Sequence, residues 1–305
     1  MANLRTAFCG IELQNPIATA SGTFSSSSGK FYEYSRLGAL TTKGVAIDPW
    51  PGNPTPRIAE TRSGMLNAIG LENPGIAHFI AEDLPQIRSG IGGSDTKVFA
   101  NLAGRTIEQY VQGAQLLTTA DVDIIELNIS CPNVKEGGVA FGTCPAMAAK
   151  VTEQVRRVVT KPLMVKLSPN VTDITEIARA VEAAGADALS LINTLTGMRI
   201  DVRERRHILA NKTGGLSGPA VLPVAIRMVY QVAGAVQLPI LGMGGIFTGE
   251  DAAEFLMAGA SAVAVGTAAL VDPTAPVRIL DELGSFMDKH GFSSIDEIKE
   301  VRCGL

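Results

Sequence analysis

Short apolar runs rich in β-branched residues recur along this chain, each followed by a stretch with helical spacing. The runs predict strands at Pro16–Ala20, Ala39–Thr42, Lys97–Ala100, Ile124–Ile129, Leu163–Leu167, Ala188–Ile192, Pro239–Gly242 and Ala262–Val265. In DITEIARAVEAAG, Ile174, Ile177, Ala178 and Val181 fall on one helical face and Gly185 supplies a stop. In FTGEDAAEFLMAG, Thr248 is the expected N-cap, Asp251 sits in the first turn, Ala252, Phe255 and Leu256 form an inner face, and Gly259 ends the helix. Eight strands separated by helices predict an α/β protein whose parallel sheet closes as a (β/α)8 TIM barrel. The runner-up, an open doubly wound sheet, would carry a GxGxxG turn after its first strand, and none is there. AAGADALSLIN and MAGASAVAVGT share a helix end followed by a strand, as repeated α/β units would.

The size fits this architecture. At 305 residues, with 46% hydrophobic and 18% charged, residues 1–305 are expected to form a single barrel domain around one core. A net charge of −4 gives a nucleic-acid partner no electrostatic support. No apolar run reaches the roughly 18 residues of a membrane span, and MANLRTAFCG lacks the apolar region of a secretory signal. Cys9, Cys131, Cys144 and Cys303 show no CxxC spacing, which argues against a zinc or iron–sulfur site on this chain alone. A cytoplasmic setting is therefore expected.

Polar residues collect where the predicted strands end. The second strand runs into Thr42, Lys43 and Gly44, the third into Asn101, and the fourth into Asn128, Ser130 and Cys131. Lys166 stands inside the apolar fifth strand, where an unpaired ammonium is expensive. Asn193 and Thr194 close the sixth, Gly244 and Gly245 follow the seventh, and Gly266 and Thr267 follow the eighth. Any one of these has a plain explanation: a snorkelling lysine, a turn-forming asparagine, a tight glycine turn. Together they form a ring at the C-terminal end of a barrel, the face that carries catalytic groups. The glycines allow backbone N–H groups to approach a phosphate, the lysines can stabilise negative charge on a ring, and the asparagines suit an amide-rich heterocycle. A phosphorylated ring cofactor beside a polar planar substrate is expected.

Cys131, at the end of IIELNISCPN, supplies a candidate base or nucleophile, since nearby cations can lower a thiol pKa. The segment after it, PNVKEGGVAFGT, with Gly137, Gly138 and Gly142, has the composition of a mobile lid. Cys9, Cys144 and Cys303 read as structural.

NISCPNVKEGGVAFG, KLSPNV, INTLTGMR, NKTGGLSGPA and GMGGI, in that order, resemble the FMN-binding catalytic subunit of class 1B dihydroorotate dehydrogenases, and the likeness runs from about Asn15 to Thr267. It implies an FMN-binding barrel that oxidises dihydroorotate to orotate in de novo pyrimidine biosynthesis. On this likeness Cys131 removes the C5 proton and the C6 hydride passes to FMN. Lys43, Asn67, Asn128, Asn133, Asn193 and Thr194 resemble the substrate-binding set, with Lys43 also lying against the flavin. Ser21, Gly22, Asn101, Asn128, Lys166, Ile192, Gly218, Gly244, Gly245, Gly266 and Thr267 resemble the FMN-binding set. Cys144 is a departure, since the family commonly has an acidic residue after FGT.

A cysteine base and the NVKEGGVAFG segment resemble class 1B more than the membrane-linked or fumarate-linked classes. The resemblance further implies a partner subunit with FAD and a [2Fe–2S] cluster that passes electrons to NAD, in a heterotetramer of two catalytic and two electron-transfer chains. Three alternatives stand beside this reading: a class 1A-like enzyme with a soluble acceptor, a related flavin barrel acting on another pyrimidine, and a non-catalytic sensor of a phosphorylated ligand. In MRIDVRERRHILANK, Arg199, Arg203, Arg205 and Arg206 are expected on a solvated hairpin, with partner docking as the alternative.

Overall fold

A computed structural model describes residues 2–130 and 138–300. Eight parallel strands close into a barrel: β1 (Ile17–Thr19), β2 (Ala39–Thr41), β3 (Lys97–Leu102), β4 (Ile124–Asn128), β5 (Leu163–Lys166), β6 (Ala188–Leu191), β7 (Ile240–Met243) and β8 (Ala262–Val265). Each predicted strand is present, shifted by at most two residues at an end. The ring closes where β8 pairs with β1, Val263 opposite Ile17.

Alternation along the strands decides what fills the barrel. Ile125, Leu127, Val165 and Leu189 join the larger cluster that packs under the surrounding helices. The neighbouring positions face inward. At the N-terminal end Phe99, Ile124, Met164 and Ala188 form a dry layer. One step of two residues further along, the same face carries Asn101, Glu126, Lys166 and Ser190, all buried. The interior thus turns from apolar to polar toward the C-terminal face. A hairpin that the apolar runs did not announce, Thr6–Phe8 paired with Ile11–Leu13, plugs the dry end, its Phe8 ring 6.0 Å from that of Phe99.

The helices follow the predicted signals. Helix Ile174–Ala183 buries Ile174, Ile177, Ala178 and Val181, and its cap Asp173 accepts the Thr175 N–H at 2.8 Å; the Thr175 hydroxyl and then its N–H hold that carboxyl below its ordinary pKa. Helix Gly249–Met257 begins in a capping box in which Thr248 and Asp251 satisfy each other's backbone N–H groups.

A second sheet covers part of the C-terminal face. Its order is Leu195–Met198, Thr213–Ser217, Gly64–Asn67, Ile58–Thr61, all antiparallel. TGGLS reads as a loop in sequence, yet its glycines are there for close packing: a Cβ on Gly215 would stand 1.9 Å from Thr194 Oγ1, and one on Gly214 2.7 Å from the Asn67 carbonyl. The arginine-rich segment forms the expected hairpin, Ile200–Asp201 against Arg206–His207. Arg203, Arg205 and Arg206 are exposed, and Arg199 is tied to the Glu60 carbonyl.

Candidate active site

At the C-terminal ends of the barrel strands lies a cavity of about 280 Å³, near the lower end of the roughly 300–1,000 Å³ of ligand pockets. Every barrel strand except β3 contributes a described lining residue, at its last position or in the turn that follows. Ser21 and Gly22 follow β1, Lys43 follows β2, Asn128 and Lys166 end β4 and β5, and Ile192, Asn193 and Thr194 follow β6. Gly244 and Gly245 come after β7, Gly266 and Thr267 after β8, and the covering sheet adds Asn67 and Ser217. Fifteen residues were expected to line a site here and lie in the described part; Asn101 and Gly218 alone of these are not on the wall. Asn101 is fully buried beside Asn128, whose Nδ2 donates to its Oδ1. Gly218 stands behind Ser217, at a φ of 103°, with a would-be Cβ 2.6 Å from the Gly64 Cα. Cys131 and Asn133 lie outside the described residues.

The charged groups on this wall are held by the barrel. Lys166 is 5% exposed and donates to Ser21 Oγ at 3.3 Å. Lys43 stands near Gly22, its Nζ 3.8 Å from where a Cβ there would be. The glycines divide into two kinds. Gly244 and Gly245 have φ of 128° and 87°, and a side chain on either would strike Ala225 or Leu222 of the following helix, Leu222–Ala233. Gly22 and Gly266 meet no atom closer than 3.8 and 3.5 Å, so a side chain there would reach into the cavity.

Polar side chains under the wall form a connected set. Asn193 Nδ2 donates to Ser130 Oγ at 2.8 Å, and Ser130 Oγ and N–H donate to Asn128 Oδ1 at 3.2 and 3.3 Å. Asn128 Nδ2 donates to Asn101 Oδ1 at 3.1 Å, Asn101 Nδ2 donates to Glu126, and Ser190 Oγ donates to the other Glu126 oxygen at 2.6 Å. Tyr110 supports the strand end by donating to the Asn128 carbonyl at 2.7 Å. Glu126, Ser190 and Tyr110 were not expected here. Glu126 had the same signal as Lys166, a lone charge in an apolar strand.

The segment expected as a lid is partly helical: Gly138–Thr143 forms a short helix, and the Phe141 ring meets Tyr110 edge-on at 5.9 Å. Cys144 then stands at the N-cap of helix Pro145–Arg156, exposed and making no capping hydrogen bond. It is not on the cavity wall. Cys9 lies at the opposite end of the barrel, where burial and then the charge of Asp187 push its thiol up to about 12. A larger outer groove of about 900 Å³ has its Arg36 and Arg278 already paired with Asp281 and Glu282, and it is remote from the strand ends.

The family model for dihydroorotate dehydrogenase matches residues 3–287. Several curated relatives are similar over nearly the whole chain. One, from Alkaliphilus metalliredigens, is 55% identical over 99% of both chains and is named dihydroorotate dehydrogenase B (NAD(+)), catalytic subunit. Relatives of the same name from Alkaliphilus oremlandii and Halalkalibacterium halodurans are 56% and 54% identical, over 97% of both chains and over 98% of this chain and 97% of the other.

Proposed function

The chain belongs to the dihydroorotate dehydrogenase family, and we propose that it is the catalytic subunit of an NAD-linked enzyme that oxidises dihydroorotate to orotate in pyrimidine biosynthesis. The observation that carries this reading is the convergence of Lys43, Lys166, Asn67, Asn128, Asn193 and Thr194, from five separate elements, on one cavity at the catalytic face of a barrel.

The cavity's own chemistry suits FMN. Lys166 offers a buried ammonium, Gly22 and Gly266 leave space where any side chain would intrude, and Gly244, Gly245 and Thr267 form a turn-rich end suited to a phosphate. Ser21, Gly22, Lys166, Ile192, Gly244, Gly245, Gly266 and Thr267 would hold the cofactor, with Asn128 at its edge, Asn101 beside Asn128 and Gly218 behind the wall. When bound, FMN would supply the two-electron acceptor for the C6 hydride.

The chain's residues do the rest. Asn67, Asn128, Asn133, Asn193 and Thr194 hold the pyrimidine and its carboxylate through paired donors and acceptors. Lys43 lies between the two ligands and balances their negative charge. Cys131, following directly on the buried Ser130, takes the C5 proton as a thiolate. Lys166 stabilises negative charge on the reduced ring electrostatically.

The relatives' names, which specify NAD(+) and a catalytic subunit, support a partner that accepts the electrons. In this reading it carries FAD and a [2Fe–2S] cluster in a heterotetramer of two chains of each kind. Among the described residues, no His, Cys, Asp or Glu side chains are grouped to hold a metal, and no helix is long and apolar enough to cross a membrane. Cys9 and Cys144 are both free thiols, as a cytoplasmic setting would keep them.

The test is direct. The purified protein should release FMN on denaturation, and its flavin absorbance should bleach anaerobically with dihydroorotate but not with dihydrouracil, which lacks the carboxylate. A colourless protein that takes up no FMN, or bleaching by dihydrouracil alone, would contradict the reading.

A further inference from the structure

Glu126 has no part in the reaction described above. It lies two residues before Asn128 on the inward face of β4, it is 0% exposed, and its hydrogen-bond partners among the described residues are two neutral groups, Asn101 and Ser190. The bond to Ser190 crosses the barrel interior, since β5 separates β4 from β6. A buried polar group of this kind costs desolvation that its two hydrogen bonds largely offset, so it is a poor source of net stability. What it does supply is an anchor.

Glu126 accepts from both neighbours, the Asn101 NH2 at one oxygen and the Ser190 hydroxyl at the other, which leaves the Asn101 oxygen facing Asn128. Asn128 must then turn its NH2 to Asn101 and its oxygen to Ser130. The far end imposes the same order independently, because the Ser130 backbone N–H can only donate to Asn128 Oδ1. Asn193 continues the series, its NH2 donating to both Ser130 Oγ and the Ser130 carbonyl while its oxygen accepts the Thr194 N–H at 2.7 Å. Every donor from the rim therefore points down toward Glu126.

We propose that Glu126 is a positioning residue: it is the terminal acceptor of the hydrogen-bond series Asn193–Ser130–Asn128–Asn101, whose sense the Ser130 N–H also fixes, and by anchoring that end it holds the polar atoms that the cavity shows to its ligands. The free capacity follows by counting. Asn128 has spent its oxygen on Ser130 and keeps one N–H, so it offers a donor to a ligand carbonyl. Asn193 has spent both N–H groups and keeps a lone pair on its oxygen, so it offers an acceptor to a ligand N–H. The two amides are thereby made unlike, which suits the alternating carbonyl and N–H groups of a pyrimidine or flavin ring. This inference rests on the FMN and dihydroorotate reading of the cavity.

The experiment measures the Kd of FMN for the apoprotein and the Kd of orotate from the perturbation of the bound flavin spectrum. Glu126→Leu removes the acceptor and should weaken orotate binding about tenfold or more, as an amide losing its partner implies. Glu126→Gln can still accept from Asn101 while donating to Ser190 Oγ, and should restore both constants to within about threefold of the wild type. In an Asn128→Ala background, adding Glu126→Leu should change the orotate Kd less than about twofold, because the effect passes through Asn128. Unchanged affinities in Glu126→Leu, or a loss that persists undiminished without the Asn128 amide, would overturn the proposal. Should Glu126→Leu not fold, Asn101→Leu, which cuts the series but leaves the Glu126–Ser190 bond, takes its place with the same expectation, and an unchanged orotate Kd in it overturns the proposal. Wild-type protein that binds neither FMN nor orotate would instead overturn the reading of the site itself.

Discussion

Lys166 and Ser21, 145 residues apart in sequence, meet inside the barrel mouth, the lysine Nζ donating to the serine Oγ at 3.3 Å. The contact joins the end of β5 to the turn after β1, so the ammonium is fixed from two strands that do not pair with each other. A cation held rigidly in a nearly dry wall acts far more strongly on developing negative charge than one in water. Lys166→Met should bind FMN yet lower the anaerobic rate of flavin reduction by dihydroorotate roughly 10²–10³-fold, the loss typical of one preorganised electrostatic group. Reduction at the wild-type rate, followed by stopped-flow absorbance, would remove Lys166 from that role.

Gly266 borders open space, since an added Cβ meets only Ala20 Cβ at an ordinary 3.5 Å, but its backbone at φ −112° and ψ −101° lies outside the regions a side chain favours. Gly266→Val should lower the melting temperature of the FMN-free protein by a few degrees, from about 1–3 kcal/mol of backbone strain, and raise the FMN Kd by about tenfold or more. Undiminished FMN affinity would show that this wall does not face the cofactor.

Cys144 occupies an N-cap without capping. With extended backbone and Pro145 next, it stands where an acidic residue would accept an orphan N–H and meet the positive end of helix Pro145–Arg156. Cys144→Asp should stabilise the protein by about 0.5–2 kcal/mol, read as a higher urea midpoint at unchanged slope. An unchanged midpoint would mean that the helix start is already satisfied.

Cys9 should behave in the opposite way to Cys144. The unfolded chain releases the Cys9 proton near 9.0 and the folded protein only near 12. Its contribution to stability is therefore fully present below pH 9 and is lost as pH rises toward 12. Cys9→Ala should flatten part of that alkaline loss in a series of urea melts. At pH 8, mass spectrometry of alkylated peptides should show exposed Cys144 reacting at least about tenfold faster than Cys9; equal rates would contradict the burial.

The barrel was legible because each of its strands is a short apolar run whose inward and outward sides are both covered, and because punctuating glycines mark the helix ends. The covering sheet was hidden for the opposite reason. Thr213–Ser217 is glycine-rich because Thr194 and the Asn67 carbonyl press against it, and nothing local announces a partner distant in sequence. Most of the wall could be read from strand ends, as with Lys43, Asn128, Asn193 and Gly266. Asn101 ends its strand as the others do, but it is fully buried and its Oδ1 faces the Asn128 amide, a pairing that no local pattern announces. Glu126 escaped notice although it interrupts IIELN as plainly as Lys166 interrupts MVKLS; its meaning appears only when Ser190 arrives from across the barrel.

In the proposed reaction Cys131 removes a proton from dihydroorotate while the hydride leaves toward the flavin, and anaerobic stopped-flow reduction of FMN in Cys131→Ala tests that step. The variant should stay yellow, bind orotate with near wild-type affinity, and be reduced roughly 10²–10⁴-fold more slowly, the usual worth of a positioned base. Reduction of the variant's flavin at the wild-type rate would contradict it.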